Sequence, residues 1–135
     1  MGVKPFLVAS SIQAIMAQRL IRILCDKCKA PDEDPDHKFL KLTDITDEDR
    51  AKNTIFKPVG CDACGGSGYK GRRAINELML LNSQIRELAF NGAPIAEIRK
   101  AAITGGMRPL LGDGKIKILK GMTTPEEIAR VAQAD

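Results

Sequence analysis

Four cysteines stand in two pairs, CDKC (Cys25, Cys28) and CDAC (Cys61, Cys64), with residues 29–60 between them. A two-residue gap lets both sulfurs of a pair face one centre. Two such pairs complete a tetrahedral shell of four thiolates, which suits a structural Zn2+. Whatever the chain folds into, it must therefore bring these four positions together. With all four places filled by protein, no open coordination position is left for catalysis. Three rival readings rank lower. Iron–sulfur motifs use other spacings. A thioredoxin-like redox site needs one pair, not two far apart. Disulfides are unusual where thiols stay reduced.

Gly65, directly after Cys64, permits the left-handed turn that aims backbone N–H groups at thiolates. Lys29 occupies the matching place after Cys28, a less typical choice, and Lys27 and Lys29 offset thiolate charge. His37, the single histidine, lies in an acidic, proline-punctuated segment and reads as exposed, not as a ligand.

A chain of 135 residues is one domain or two small lobes, and 44% hydrophobic with 28% charged residues fits a folded protein. With no Trp and 4% aromatics, the core must come from Leu, Ile, Ala and Met. No run approaches the roughly 18 apolar residues a membrane span needs. The start, MGVKPFLVASS, lacks a signal-peptide pattern, so a cytoplasmic location is expected. Net charge is +4, too mild to argue for nucleic-acid binding. The charge is uneven: residues 32–49 hold eight acids against Lys38 and Lys41, −6 in all, leaving +10 elsewhere. That insert reads as a solvated face or as a contact for a basic neighbour.

Residues 8–24 place Ile12, Ile15, Met16, Leu20, Ile23 and Leu24 at helical spacing behind Ser10 or Ser11 as a cap, although RLIRIL also suits a buried strand. Thr46–Asp49 caps a short helix. Arg72–Leu81 alternates, with Ala74, Asn76, Leu78 and Leu80 on one face, and reads as a strand. Helices follow. One runs from Ser83 to a stop at Gly92, and a second has Pro94 in its first turn and Gly105 at its end. TTPEEIARVAQ is the clearest, with Thr124, Pro125 and Glu127 forming a complete capping box. MRPLLGDGKIKILKG is weaker, because Gly112 and Gly114 each cost about 1 kcal/mol against Ala. These glycines mark a bend or a close packing contact. The C-terminal third is expected to be a small helical bundle.

The glycines of CDACGGSGYKGRR do not form a phosphate loop: no G-x-x-x-x-G-K-[ST] run exists in the chain. Nor does GxSxG, HExxH or a triad that one histidine can serve. Residue chemistry alone stops at a zinc-stapled α+β module with a binding or structural role and no catalytic or nucleotide-binding residue.

The segments PFLVASS, AQRLIRILCDKC, GCDACGGSGYKGRRAINEL and GMRPLLGDGKIKILKGMTTPEEIARV resemble, in order, the C-terminal end of the type II secretion and type IV pilus assembly ATPases. Nearly the whole chain is covered. The resemblance implies a hexameric P-loop ATPase at the cytoplasmic face of the bacterial inner membrane. Such a protein drives pseudopilus or pilus assembly through an inner-membrane platform protein. Its ATP and Mg2+ motifs would lie upstream of the matching region. This chain then reads as residues 1–24, the end of a RecA-like ATPase core, followed by 25–71, a tetracysteine zinc subdomain. Residues 72–135 would be a returning strand plus a helical C-terminal domain. Cys25, Cys28, Cys61 and Cys64 fall on the family's zinc ligands, and its pattern makes a strand from about Gln18. Pro109 and Gly112 depart from it, so the helix there is expected to begin late or bend. Retraction-type members lack the zinc insert, which favours the assembly and secretion branch.

Two rivals remain at this level. CDACGGSG fits the CxxCxGxG of DnaJ-like zinc modules, but CDKCKAPD does not. YKGRR, with Lys70, Arg72 and Arg73 around Tyr69, suits a nucleic-acid-binding zinc ribbon, or else a turn or subunit contact. As a mechanism, the zinc staples an insertion that projects toward a neighbour, and loss of Cys61 is expected to unfold that lobe while sparing the helical tail.

Overall fold

A computed structural model of the chain describes residues 14–132. Helices and short strands are mixed, an α+β arrangement. Strand β1 (Ala14–Leu24) pairs with β4 (Tyr69–Leu80), and β2 (Ala30–Pro31) pairs antiparallel with β3 (Phe56–Lys57). Helices α1 (His37–Leu42) and α2 (Asp47–Lys52) lie in the insert, and α3 (Ser83–Phe90), α4 (Ile95–Thr104), α5 (Leu110–Leu119) and α6 (Pro125–Ala132) follow β4.

The helical reading of the first segment is corrected. Residues 14–24 form β1, about four residues earlier than the Gln18 start that the family pattern suggested, and the proposed Ser10 or Ser11 cap lies outside the described residues. Ile21 and Leu24 are buried while Ile15, Met16 and Leu20 are exposed, so the helical spacing of apolar residues did not report one buried face. The β-branched run paired with β4 decides the conformation. In β4 the inward residues are Ile75 and Glu77, opposite in phase to Ala74, Asn76, Leu78 and Leu80.

The described chain divides into two compact units, one of residues 14–17 and 76–109, the other of 18–75 and 110–132. In the first, α3 packs on α4 around Leu81, Ile85 and Ala102, with Met79, Ile98 and Met107 against them. Asn82 caps α3 through Ile85 N (2.9 Å). Pro94 is the N-cap of α4 and not part of its first turn. Arg99 makes a two-pronged pair with Glu77, at 2.8 and 3.0 Å.

In the second unit α5 packs on α6, and α6 on α1. Ile21, Ile75, Ile118 and Ile128 are fully buried, each contributing about 1.5–3 kcal/mol by leaving water. Helix α5 starts only after Pro109, at Leu110, the late start that Pro109 predicted for the segment beginning at Met107. Gly114 is a close-packing glycine: a Cβ there would lie 2.6 Å from Ile128 Cγ2. The four C-terminal helices thus belong as pairs to different units.

The acidic insert is part of the second unit. The β2–β3 ladder closes its neck, with Ala30 opposite Lys57 and Pro31 opposite Phe56. Thr46 and Asp49 make the expected reciprocal capping box on α2. Asp49 also pairs with Lys115 of α5 at 3.0 Å. One acid of the insert is thus answered within the chain itself, by Lys115 of α5.

Candidate metal centre

The four cysteines arrive from two directions. Cys25 follows β1 directly and is buried at 1% exposure, and its N–H donates to Gly68 O at 2.9 Å. The chain then turns tightly, Cys28 N and Lys29 N both donating to Cys25 O. The second pair sits on a single 3-10 turn, Asp62–Cys64, closed by Cys64 N and Gly66 N on Cys61 O. Gly65 ends that turn in the left-handed region (φ 68°), as its position predicts.

The structure brings all four sulfurs within 4.8 Å of one another. Cys25–Cys61, Cys28–Cys64 and Cys61–Cys64 are each separated by 3.8 Å. A tetrahedron with metal–sulfur bonds of about 2.3 Å has edges of about 3.8 Å, so these three separations match edges of a Zn2+ shell. All four are free thiols. Tetrahedral S4 shells take zinc or iron, and the spacing does not separate the two. His37 is exposed at the start of α1, outside this cluster.

Backbone N–H groups point at the sulfurs. Gly60 N reaches Cys28 Sγ at 3.3 Å, Cys61 N reaches Cys64 Sγ at 3.3 Å, and Gly68 N reaches Cys64 Sγ at 3.2 Å. The donors are not those of Gly65 or Gly66, which bond carbonyls instead. Gly60 (φ 105°) and Gly68 (φ 83°) are the glycines the centre needs, since a Cβ would lie 2.6 Å from Gly66 O and 2.3 Å from Pro58 Cβ respectively. Burial pushes the Cys28 thiol up to about 11, ahead of the lowering by the Gly60 N–H. At Cys64 burial also raises, but the N–H groups of Cys61 and Gly68 outweigh it and bring the thiol down to about 6. Cys64 is thereby favoured as thiolate, and metal entry would displace the proton that burial keeps on Cys28.

Sequence reasoning missed what surrounds the centre. Lys29 does not turn to the thiolates. Its Nζ donates to Gly121 O at 2.8 Å and stands 4.6 Å above the Phe56 ring. A lysine where a glycine is usual was the available signal. Tyr69 is half-buried; its hydroxyl lies 2.9 Å from Thr124 Oγ1 and its ring lies under the Arg22 guanidinium at 4.2 Å. The ring that a nucleic-acid reading would use for base stacking is thus covered on one face, while Lys70, Arg72 and Arg73 are exposed. Thr124 caps α6 through Glu127 N at 3.1 Å. The Glu127 carboxylate turns away from the predicted capping box toward β1, accepting from Arg22 N at 2.7 Å.

Four thiols brought together at the end of a strand, closing an acidic insertion, form a cluster that could hold a metal ion in an α+β protein. The chain belongs to the type II/IV secretion system protein family, whose model matches residues 1–130. It is 41% identical over 128 residues to the type IV pilus assembly ATPase PilB of Myxococcus xanthus, covering 95% of this chain and 23% of that protein. The PilB of Thermus thermophilus is 38% identical over 95% of this chain and 14% of its own length. The type II secretion system protein E of Aeromonas hydrophila is 36% identical over all of this chain and 26% of its own length. The chain therefore spans between about a seventh and a quarter of these relatives. Among the described residues no helix is long and apolar enough to cross a membrane.

Proposed function

We propose that this chain is the C-terminal portion of a hexameric secretion or pilus assembly ATPase that powers pseudopilus or pilus assembly, and that its own task is structural. Cys25, Cys28, Cys61 and Cys64 hold one Zn2+ that fixes the insert. The observation that carries the reading is the 3.8 Å spacing of the sulfurs, with N–H groups aimed at them. The ion would supply no chemistry beyond holding four thiolates in place.

Within the parent, residues 1–24 are assigned to the end of a RecA-like core, 25–71 to the tetracysteine subdomain and 72–135 to the returning strand with the helical C-terminal domain. Exposed apolar residues on the paired strands, such as Met16 and Leu78, suit burial under the rest of such a core. ATP and Mg2+ belong to that core, so this piece alone hydrolyses nothing. Its partners are neighbouring ATPase subunits and the inner-membrane machinery, at the cytoplasmic face of the membrane.

Elemental analysis of the purified chain tests the metal: one zinc per chain without iron colour is expected, and metal-free or iron-loaded protein rejects the zinc reading. Metal-dependent ATP turnover by the pure chain, above that of a contaminant control, overturns the assignment of a purely structural role.

A further inference from the structure

Both chain exits from the thiol set grip the turn between α5 and α6. On one side Lys29, next to Cys28, donates to Gly121 O at 2.8 Å and rests on Phe56 of the insert's neck. The turn lies directly on that ring: Gly121 has φ 75°, and a Cβ there would be 2.9 Å from Phe56 Cε2. On the other side Gly68 accepts from Cys25 N and donates to Cys64 Sγ, and the next residue, Tyr69, reaches Thr124. Thr124 in turn caps α6. Two further bonds, Leu24 N to Met122 O and Thr123 Oγ1 to Arg22 O, both 2.8 Å, hold the same turn to β1 without passing through a sulfur.

We propose that metal occupancy of the four thiols controls the docking of the α5–α6 pair, with Lys29 and Tyr69 as the two couplers. A closed thiol set fixes the positions of residues 29 and 69, and so holds Gly121 and Thr124. An open set releases both grips and leaves the turn on its two β1 bonds and α6 on the Arg22–Glu127 clasp, so the pair loosens without detaching. The helix pair then responds to divalent-metal supply or to thiol-directed oxidants as well as to its own packing. This inference rests on the metal reading above.

Amide hydrogen exchange on the 135-residue chain, before and after metal removal with a strong chelator, tests it, with metal content measured on the same samples. Removal is expected to speed exchange in residues 110–132 roughly tenfold, together with residues 29–60, as expected for losing two polar grips. The double variant Lys29→Met, Tyr69→Phe keeps all four ligands. It is expected to bind metal and to protect residues 29–60 on loading, while residues 110–132 no longer respond. If metal is present and residues 29–60 respond but 110–132 do not in the unaltered chain, the coupling is wrong and the metal reading stands. If the double variant couples as the unaltered chain does, Lys29 and Tyr69 are not the couplers. Protein that binds no metal, with no response anywhere, removes both readings.

Discussion

Arg22 and Glu127, 105 positions apart in sequence, are joined at three atoms: the Glu127 carboxylate takes the Arg22 backbone N–H at 2.7 Å and its guanidinium Nε and Nη2 at 3.2 and 3.0 Å. Glu127 is 1% exposed and also receives the Arg130 guanidinium. The end of β1, from which Cys25 departs, is therefore pinned to the first turn of the last helix.

Removing that carboxylate is the sharpest test of the clasp. Glu127→Ala orphans the Arg22 N–H, but the guanidinium of Arg22, about half exposed, regains water. The loss is then about 2 kcal/mol, short of the 3–5 of a wholly enclosed pair. Arg130→Ala removes only an outer partner, 61% exposed, and is expected to cost under about 1 kcal/mol. Urea denaturation measures both, and similar losses in the two variants would contradict the ranking.

Acid should weaken the same unit through Asp49. The Thr46 N–H first, and then Lys115, hold its carboxyl at about 2 in place of the ordinary 3.8. A depressed carboxylate contributes fully above its ordinary value and loses that contribution as pH falls toward the folded one. Asp49→Asn keeps an acceptor for Thr46 but no charge for Lys115. Denaturation midpoints of the two proteins should differ above pH 3.8 and converge toward pH 2. Glu127 moves in the same sense: burial raises it, but Arg22 and Arg130 outweigh this. Metal loss in acid affects both proteins alike, so the difference between them is the quantity to read. A gap that stays constant through the window rules out the Asp49–Lys115 pair as its source.

Gly114→Ala sets two known effects against each other. Alanine in a helix gains about 1 kcal/mol over glycine. Its methyl, however, would lie 2.6 and 2.9 Å from Ile128 Cγ2 and Cδ1, and Ile128 is fully buried, with a stiff branched side chain. Overpacking costs about 1–3 kcal/mol, so net destabilisation of about 1 kcal/mol is expected. Adding Ile128→Val should return part of it. A Gly114→Ala protein more stable than the unaltered chain would show that α5 shifts freely on α6.

The clustering of the four cysteines was legible in sequence because thiol chemistry allows few alternatives at CxxC spacing, and the Thr46 and Pro125 helix starts were legible because capping is local. What failed was long-range. The spacing of Ile15, Leu20 and Ile23 counts apolar residues without saying which face another strand will cover, so β1 read as helix. Glu127 completed a local capping pattern, yet the Arg22 N–H, brought near only by the fold, competes for its carboxylate. The acidic insert read as a solvated face or a contact for a basic neighbour, since Lys115, which pairs with Asp49, lies 66 residues beyond it in the chain. Glycine positions misled in the same way. Gly65 follows Cys64 and drew notice, whereas Gly60 and Gly68 carry the contacts.

That last contrast yields a prediction about the metal itself. Gly68 donates to Cys64 Sγ, accepts from Cys25 N, holds φ 83° and touches Pro58 so closely that a Cβ would lie 2.3 Å from the proline's own. Gly66 has φ 86° but open space around it. Gly66→Ala therefore brings only left-handed strain, about 1–2 kcal/mol. Gly68→Ala brings the same strain, and must also displace Pro58 and the N–H that faces the sulfur. Disturbing a group that orients a ligand costs roughly 10–100-fold in metal affinity. Competition against a chromophoric chelator should rank the affinities as unaltered chain, Gly66→Ala, then Gly68→Ala. Equal affinities in the two variants would mean that the backbone angle is the whole requirement and that the N–H to Cys64 contributes nothing to holding the metal.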